Sequence, residues 1–315
     1  MKTTFGLILF VLLGVLTSHG QTDTTSVPFV SYWCVGDSYD FRVTKIQRQE
    51  KAGQLIKNDS ISYIANFEVI DSTETSYKIR WNYKTNLGGL NIPNNLIEKL
   101  SKYQMTEVIY ETTEVGEFVG VENWQEIAKM MKALFSDLID LMVETKKADK
   151  ATLQKAVTPF ESLFGSKEGI EQLALKELHY LHFPFGIEYS TTEVIEYQQE
   201  LPNMFGGNPI NGDTKIYIES VDFENSFCVL IEEMQLNPED TRNMLYDVFK
   251  QMDVTEQQLD TAMKTAKINV TDNNKYEYWY NPGIPYRIEA QRVTDIDVAN
   301  EKGKRIDITR IEIVE

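Results

Sequence analysis

The stretch Tyr77-Lys78-Ile79-Arg80-Trp81-Asn82-Tyr83-Lys84 decides the fold class. Apolar or aromatic side chains fill every odd position and Lys, Arg or Asn every even one. That is the period of a strand with one buried and one wet face. Two upstream stretches repeat it: Tyr39-Asp40-Phe41-Arg42-Val43, and Ile61, Tyr63, Ala65, Phe67 and Val69, with Ile64 interrupting the polar side. Lys51-Ala52-Gly53 and the run 71–75 (DSTET) supply turns between them. Three half-buried antiparallel strands are expected.

Downstream, Leu87-Gly88-Gly89-Leu90 breaks the alternation and Pro93 opens a short helix expected over 94–103. A hairpin over 106–112 and 117–121 turns at Val115-Gly116. The period then changes. From Asn123, a candidate N-cap, apolar residues recur at Ile127, Met131, Leu134, Leu138 and Met142, which predicts an amphipathic helix. Further helices are expected over 150–164, kinked or divided at Pro159, and over 167–181, with Phe183-Pro184-Phe185-Gly186 closing the block.

Strands resume over 187–200, 213–222 and 227–235. Asn237-Pro238-Glu239-Asp240 is a helix start, and Thr255 with Gln258 forms a capping box for another. Strands over 276–280, 286–293 and 305–314 end the chain, the first two joined at Asn281-Pro282-Gly283. Runs of strands and runs of helices, rather than their alternation, make this α+β. The expectation is a curved antiparallel meander packed on helices. The segment 21–315 reads as one domain, with a helical insertion at about 123–183 between strand blocks.

The N-terminus carries an address. Lys2 precedes an apolar run from Phe5 to Leu16, and Ser18 and Gly20 place small residues before Gln21. This is the pattern of a secretory signal peptide, residues 1–20, cut before Gln21. The run is too short to span a bilayer, and no longer one follows, so no transmembrane segment is expected in the mature chain. The protein is expected outside the cytoplasm, secreted or periplasmic.

Net charge is −17, from 48 acids against 31 Lys and Arg, a surface that repels phosphate backbones. Nucleic acid is excluded as a partner on that ground. Cys34 and Cys228 are the chain's two cysteines, and two readings stay open: a disulfide favoured by export, or two free thiols.

Catalytic signatures are absent. There is no G-x-S-x-G, S-x-x-K, phosphate-cradling glycine loop or H-E-x-x-H. His179 and His182, with Glu177 nearby, share a helix face but lack an identifiable third ligand, so no metal or cofactor is expected. The acid pairs Glu232-Glu233, Asp295 with Asp297, and Glu219 with Asp222 read as solvated carboxylates.

One pattern remains. Met131, Leu134 and Leu138 on a helix and Tyr77, Ile79 and Trp81 on a strand could line an adaptable apolar cavity between helix and sheet. The expected function is non-catalytic: binding of an apolar small molecule, lipid-like ligand or hydrophobic peptide at those six residues. The alternative is an interaction or structural module of the cell envelope with a filled core.

The layout resembles the half-barrel lipoprotein carriers, the LolA/LolB-like superfamily, and secreted bacterial proteins of similar build. The stretches that carry the resemblance are Gly36-Asp37-Ser38-Tyr39-Asp40-Phe41, Gly116-Glu117-Phe118 leading into Asn123-Trp124, and Asn281-Pro282-Gly283-Ile284-Pro285. It implies a curved sheet that wraps helices and shelters an acyl chain, and it assigns no site residue here.

Overall fold

The structure, a computed structural model, describes residues 25–84, 103, 107–144, 149–201, 203, 207–251, 257, 263, 266–298 and 301–314. The expected signal peptide, the helix over 94–103 apart from its last residue, Tyr103, and the capping box at Thr255 lie outside these residues.

Eleven strands form one antiparallel sheet, in the order β6-β5-β4-β3-β2-β13-β12-β11-β10-β9-β8. Its N-terminal half is β2 (Ser38–Lys51), β3 (Gln54–Ser72), β4 (Ser76–Lys84), β5 (Glu107–Thr113) and β6 (Phe118–Val121). Its C-terminal half is β8 (Ile195–Leu201), β9 (Ile210–Asp222), β10 (Phe227–Leu236), β11 (Lys267–Trp279), β12 (Ile284–Val298) and β13 (Glu301–Ile313). Every neighbouring pair is also consecutive in the chain except β2 and β13, which join the halves through pairs such as Ile311 with Val43. The sheet is curved and unclosed. A separate pair, β1 (Ser26–Pro28) with β7 (Glu188–Ser190), lies apart from it.

The expected register holds. Phe41, Val43, Ala65, Phe67, Val69, Ile79 and Trp81 are buried on the concave face. The β2–β3 turn has Ala52 and Gly53 both at positive φ, the requirement of a tight two-residue hairpin. On the convex face Lys275, Glu277, Arg287, Glu289, Arg310 and Glu312 form a ladder of ion pairs, which keeps that face in water.

Helices between β6 and β7 occupy the interval that the sequence sets aside for them: α1 (Trp124–Glu144), α2 (Lys150–Phe164), α3 (Lys167–Gly169) and α4 (Lys176–His182); α5 (Pro238–Gln251) follows β10. At α5 the expected cap is present, the Asn237 Oδ1 accepting from the backbone N–H of Glu239 and Asp240 at 2.9 and 3.1 Å.

Three expectations need correction. The helix expected over 167–181 is three pieces, because α3 gives way to a π-helical turn over Ile170–Ala174 and Leu175 leaves helical geometry at φ −118°. Gly169 packs against the Leu163 carbonyl, where a Cβ would sit 1.9 Å from the oxygen. The strand expected over 187–200 divides into β7 and β8, because the Ser190 hydroxyl accepts from Thr192 and Glu193 N–H groups and turns the chain. By contrast α2 runs unbroken through position 159.

The third correction concerns α1. Its N-terminal part reaches the main core through Ile127, Met130 and Met131, but Phe135 packs on Phe164 of α2, with ring centroids 5.8 Å apart. An apolar stripe needs a dry partner, and for the far half of α1 that partner is largely α2. The segment that enters deepest beneath the sheet is instead α4.

Candidate functional site

One end of the concave face is closed by residues 29–37, an extended strap between β1 and β2. The backbone N–H groups of Phe29, Ser31 and Tyr32 donate to the carbonyls of Ile187, Val115 and Pro282, and Gly36 N–H donates to Val69. Trp33 Nε1 donates to the Gly283 carbonyl at 3.1 Å. The strap therefore ties the β5–β6 turn to the β11–β12 turn across four intervening strands, β4, β3, β2 and β13, a span that a curled sheet brings within its reach.

Beneath the strap lies a buried aromatic core. Trp33 meets Phe67, Tyr77, His182 and Phe185 edge-on at 5.2 to 5.9 Å. Trp81 stacks on Phe41 at 6.1 Å and is fully buried, as is Ile79. Of the six expected ligand contacts, Tyr77, Ile79, Trp81 and Met131 belong to this core. Leu134 and Leu138 do not; both are half-buried farther along α1.

The histidines and Glu177 have separate partners. Buried His182 donates from Nδ1 to the Gly116 carbonyl and accepts at Nε2 from the Tyr110 hydroxyl, each at 2.8 Å. Burial pulls its pKa down to about 4. Gly116 has φ +98°, and a Cβ there would lie 2.6 Å from the Phe185 ring, so glycine both permits the turn and makes room for that ring. His179 packs on Phe118 at 4.9 Å. Glu177 accepts from the Tyr63 hydroxyl at 2.7 Å and from Lys45 Nζ at 2.9 Å. Among the described residues no group of three metal-ligating side chains comes together.

A polar belt crosses the concave face beside this core. Gln47 pairs with Asp307, Asp307 with Arg292, Arg292 with Asp272, and Asp272 with Met234, one row over five strands. Arg292 grips Asp272 through Nε and Nη2 at 2.7 and 2.6 Å. In the next row Glu232 accepts from Asn274 at 2.8 Å and from the Tyr276 hydroxyl at 3.0 Å. Burial raises the Glu232 pKa and those hydrogen bonds oppose the rise. Glu233 points to the convex face, so the adjacent acids divide between two environments, and Glu232 is not the solvated carboxylate expected of it.

The sequence held a signal for the belt in strand parity. The inward positions of β11 read Ile268, Val270, Asp272, Asn274, Tyr276, Tyr278; those of β12 read Ile288, Ala290, Arg292, Thr294, Ile296, Val298. Polar residues interrupt each inward row, and the register sets Asp272 opposite Arg292.

Beyond the belt a second apolar cluster buries Ile268 and Val270 beneath Met244, Leu245 and Tyr246 of α5, with Ile296 and Val298 half-buried at its edge, and basins open beside it among the described residues. A basin of about 550 Å³ is lined by Arg242, Ala266, Ile268, Ile296 and Gly303, and one of about 650 Å³ by Gln49, Lys51, Ile56, Ile296, Val298 and Gly303. The two share Ile296, Lys302 and Gly303 and form one trough. A third basin, about 610 Å³, lies at the belt along Lys45, Gln47, Lys57, Asp59, Ile61 and Asp307 and shares no lining residue with the other two. A Cβ on Gly303 would meet only the Glu50 carbonyl oxygen, at 3.8 Å, so the trough floor has spare room there. None of these basins is lined by Tyr77, Ile79, Trp81, Met131, Leu134 or Leu138.

Cys34 is an exposed free thiol and Cys228 a buried one, whose pKa burial pushes up to about 12. Of the two readings, the structure carries unpaired thiols.

No family model matches the chain, and no curated protein matches it. Among solved structures it is similar to lipovitellin, in a structure concerned with lipid–protein interactions in that protein. The TM-score is 0.42 and the identity 8%, over 90% of this chain and 25% of that one. The chain thus spans about a quarter of the length of the structure it matches.

Proposed function

We propose that the protein binds an apolar or lipid-like ligand, without catalysis of its own, in the open trough of its concave sheet. The observation that carries this reading is the half-buried floor of Ile296 and Val298, with Ile56 at the rim, beside a glycine whose side has room. Apolar surface in a concave setting favours a ligand that would otherwise be hydrated. The reading keeps the general role implied by the half-barrel carrier resemblance and moves the site. Tyr77, Ile79 and Trp81 belong to the aromatic core, and the trough proposed here lies across the belt from them. The same reading puts the protein outside the cytoplasm, with cleavage before Gln21.

Gly303→Trp tests the site. The residue is within β13 with open space beside it, so an added ring should occupy the trough without unfolding the protein. Uptake of a fluorescent fatty acid should fall about tenfold or more, a loss of at least about 1.4 kcal/mol of binding, while the thermal midpoint holds. Equal uptake by wild type and Gly303→Trp would place any binding elsewhere. No uptake by wild type would leave the envelope interaction module. That second reading is favoured by a convex-face cluster in which Phe227, Trp279 and Tyr286 meet edge-on at 5.3 to 6.1 Å, with Tyr286 exposed.

A further inference from the structure

We infer that the protein carries a second site, a cavity at the strap end of the sheet that takes a quaternary ammonium group between three aromatic side chains and the Glu188 carboxylate. This goes beyond the binding proposed for the trough. The cavity shares no lining residue with the trough or with the basin at the belt.

The cavity, about 380 Å³, lies where β1, β7, the strap and the β9–β10 and β11–β12 turns meet. Its size falls within the usual range for a small-molecule site, about 300–1,000 Å³. Tyr32, Phe223 and Tyr280 line it together with Glu188, Ser226 and Asn281. Hydrogen bonds fix this frame. Tyr32 N–H donates to the Pro282 carbonyl at 3.1 Å, and Tyr280 N–H to that of Ser226 at 2.9 Å. Asp222 holds the turn that carries Phe223, its Oδ1 accepting from the N–H groups of Glu224 and Asn225 at 3.0 and 3.1 Å. Glu188 stands opposite Pro28 in the β1–β7 register and accepts from the Ser26 hydroxyl.

The three rings lack ring partners. Elsewhere at the strap aromatic side chains meet one another, as Trp33 meets Phe67 and Phe185. Among the described residues Tyr32, Phe223 and Tyr280 make no such contact, and Tyr32 and Phe223 are 54% and 36% exposed. Glu188 is unmatched too. No Lys, Arg or His lines the cavity, and among the described residues no cation lies within ion-pair distance of that carboxylate. Ring faces carry the negative pole of the aromatic quadrupole, so three rings and a carboxylate around one cavity favour a cation. The net charge of −17 adds to the attraction. A primary ammonium needs an acceptor for each of its three N–H donors, whereas a quaternary one has none to leave unpaired against a ring.

The test titrates the protein with choline and with 3,3-dimethyl-1-butanol, its uncharged carbon analogue of the same shape. Wild type should bind choline about tenfold more tightly than the alcohol, or more. Phe223→Leu keeps apolar bulk without a ring, and Glu188→Gln keeps an acceptor for Ser26. Each should weaken choline several-fold, leave the alcohol unchanged and hold the thermal midpoint. Equal binding of choline and alcohol by wild type overturns the inference, as does binding of neither. A choline preference that survives both substitutions overturns it as well. Dihexanoyl phosphatidylcholine, a soluble lipid, distinguishes the sources: binding tighter than choline that both variants lose means a lipid head group, and otherwise the ammonium compound is free. Uptake of a fluorescent fatty acid should be the same in wild type and both variants. Its parallel loss would overturn the separate site.

Discussion

The Tyr110 hydroxyl stands 2.8 Å from Nε2 of His182, and both side chains are buried. With Nδ1–H committed to the Gly116 carbonyl, Nε2 is the acceptor and the imidazole is neutral. A second proton on the ring would leave two donors facing each other and a charge in an aromatic core. The folded-state pKa, about 4, lies below the ordinary 6.5, so between those values the unfolded chain binds more protons than the folded one. Stability is therefore full above pH 6.5 and falls as the pH drops toward 4, by roughly 3 kcal/mol in all. His179, whose pKa is also lowered by burial, adds in the same direction, and the raised Glu232 opposes. Urea unfolding of wild type and His182→Gln from pH 7.5 to about 4.5 checks this. The variant should be less stable at neutral pH but should lose clearly less on acidification. Parallel pH profiles would mean that His182 carries no such linkage.

Trp81 and Arg80 test the strand register. Trp81 is fully buried against Phe41, so Trp81→Ala should cost about 3–5 kcal/mol. Arg80 lies on the opposite face, bridging Glu68 and Glu107 at 3.0 and 3.2 Å with a third of its side chain exposed, so Arg80→Ala should change stability by less than about 1 kcal/mol. Chemical denaturation of the pair measures both. Equal losses would contradict the register.

Glu177 should matter for folding more than its charge suggests. It is almost wholly buried and serves Tyr63 and Lys45 together. Glu177→Ala should cost about 3 kcal/mol, the low end for a broken buried pair, because Lys45 can turn to water. Tyr63→Phe alone should cost about 1 kcal/mol. The double variant should lose measurably less than the sum, since the two share one hydrogen bond. Strict additivity would show that the bond contributes nothing.

The thiols give a simple count. Cys34 is exposed and Cys228 buried, so a thiol reagent should label one group per native chain and two after unfolding in denaturant. Two inert sulfurs that become reactive only after reduction would establish a bridge instead.

Much of the architecture was written in local periods. Alternation in 77–84 and its repeats fixes which side chains of β2, β3 and β4 turn inward, because a strand's geometry places successive residues on opposite faces. The Asn237 cap and the Ala52-Gly53 turn were legible for the same reason: the energetics that select them act within a few residues. The breaks at Leu175 and Ser190 were less so, since no glycine or proline marks the first and the second depends on whether a turn or a strand wins locally.

The site was legible only in fragments. An apolar stripe reports that a helix face is buried but not what buries it, so Met131, Leu134 and Leu138 gave no sign that the far half of α1 turns to α2. The polar inward residues Asp272, Asn274 and Arg292 were visible by parity, yet a single strand does not say that its polar positions align with those of its neighbours. Register decides that, through pairs such as Arg292 with Asp272 and Asp307 with Arg292. The strap had the least signal of all. Its backbone N–H groups are satisfied by carbonyls far away in the chain, at Val115, Ile187 and Pro282. The sequence by itself determined the faces of the strands and the ends of several elements, because those follow from contacts between near neighbours. Only the tertiary structure decided what covers each part of the concave face, because that depends on long-range contacts that no local pattern encodes.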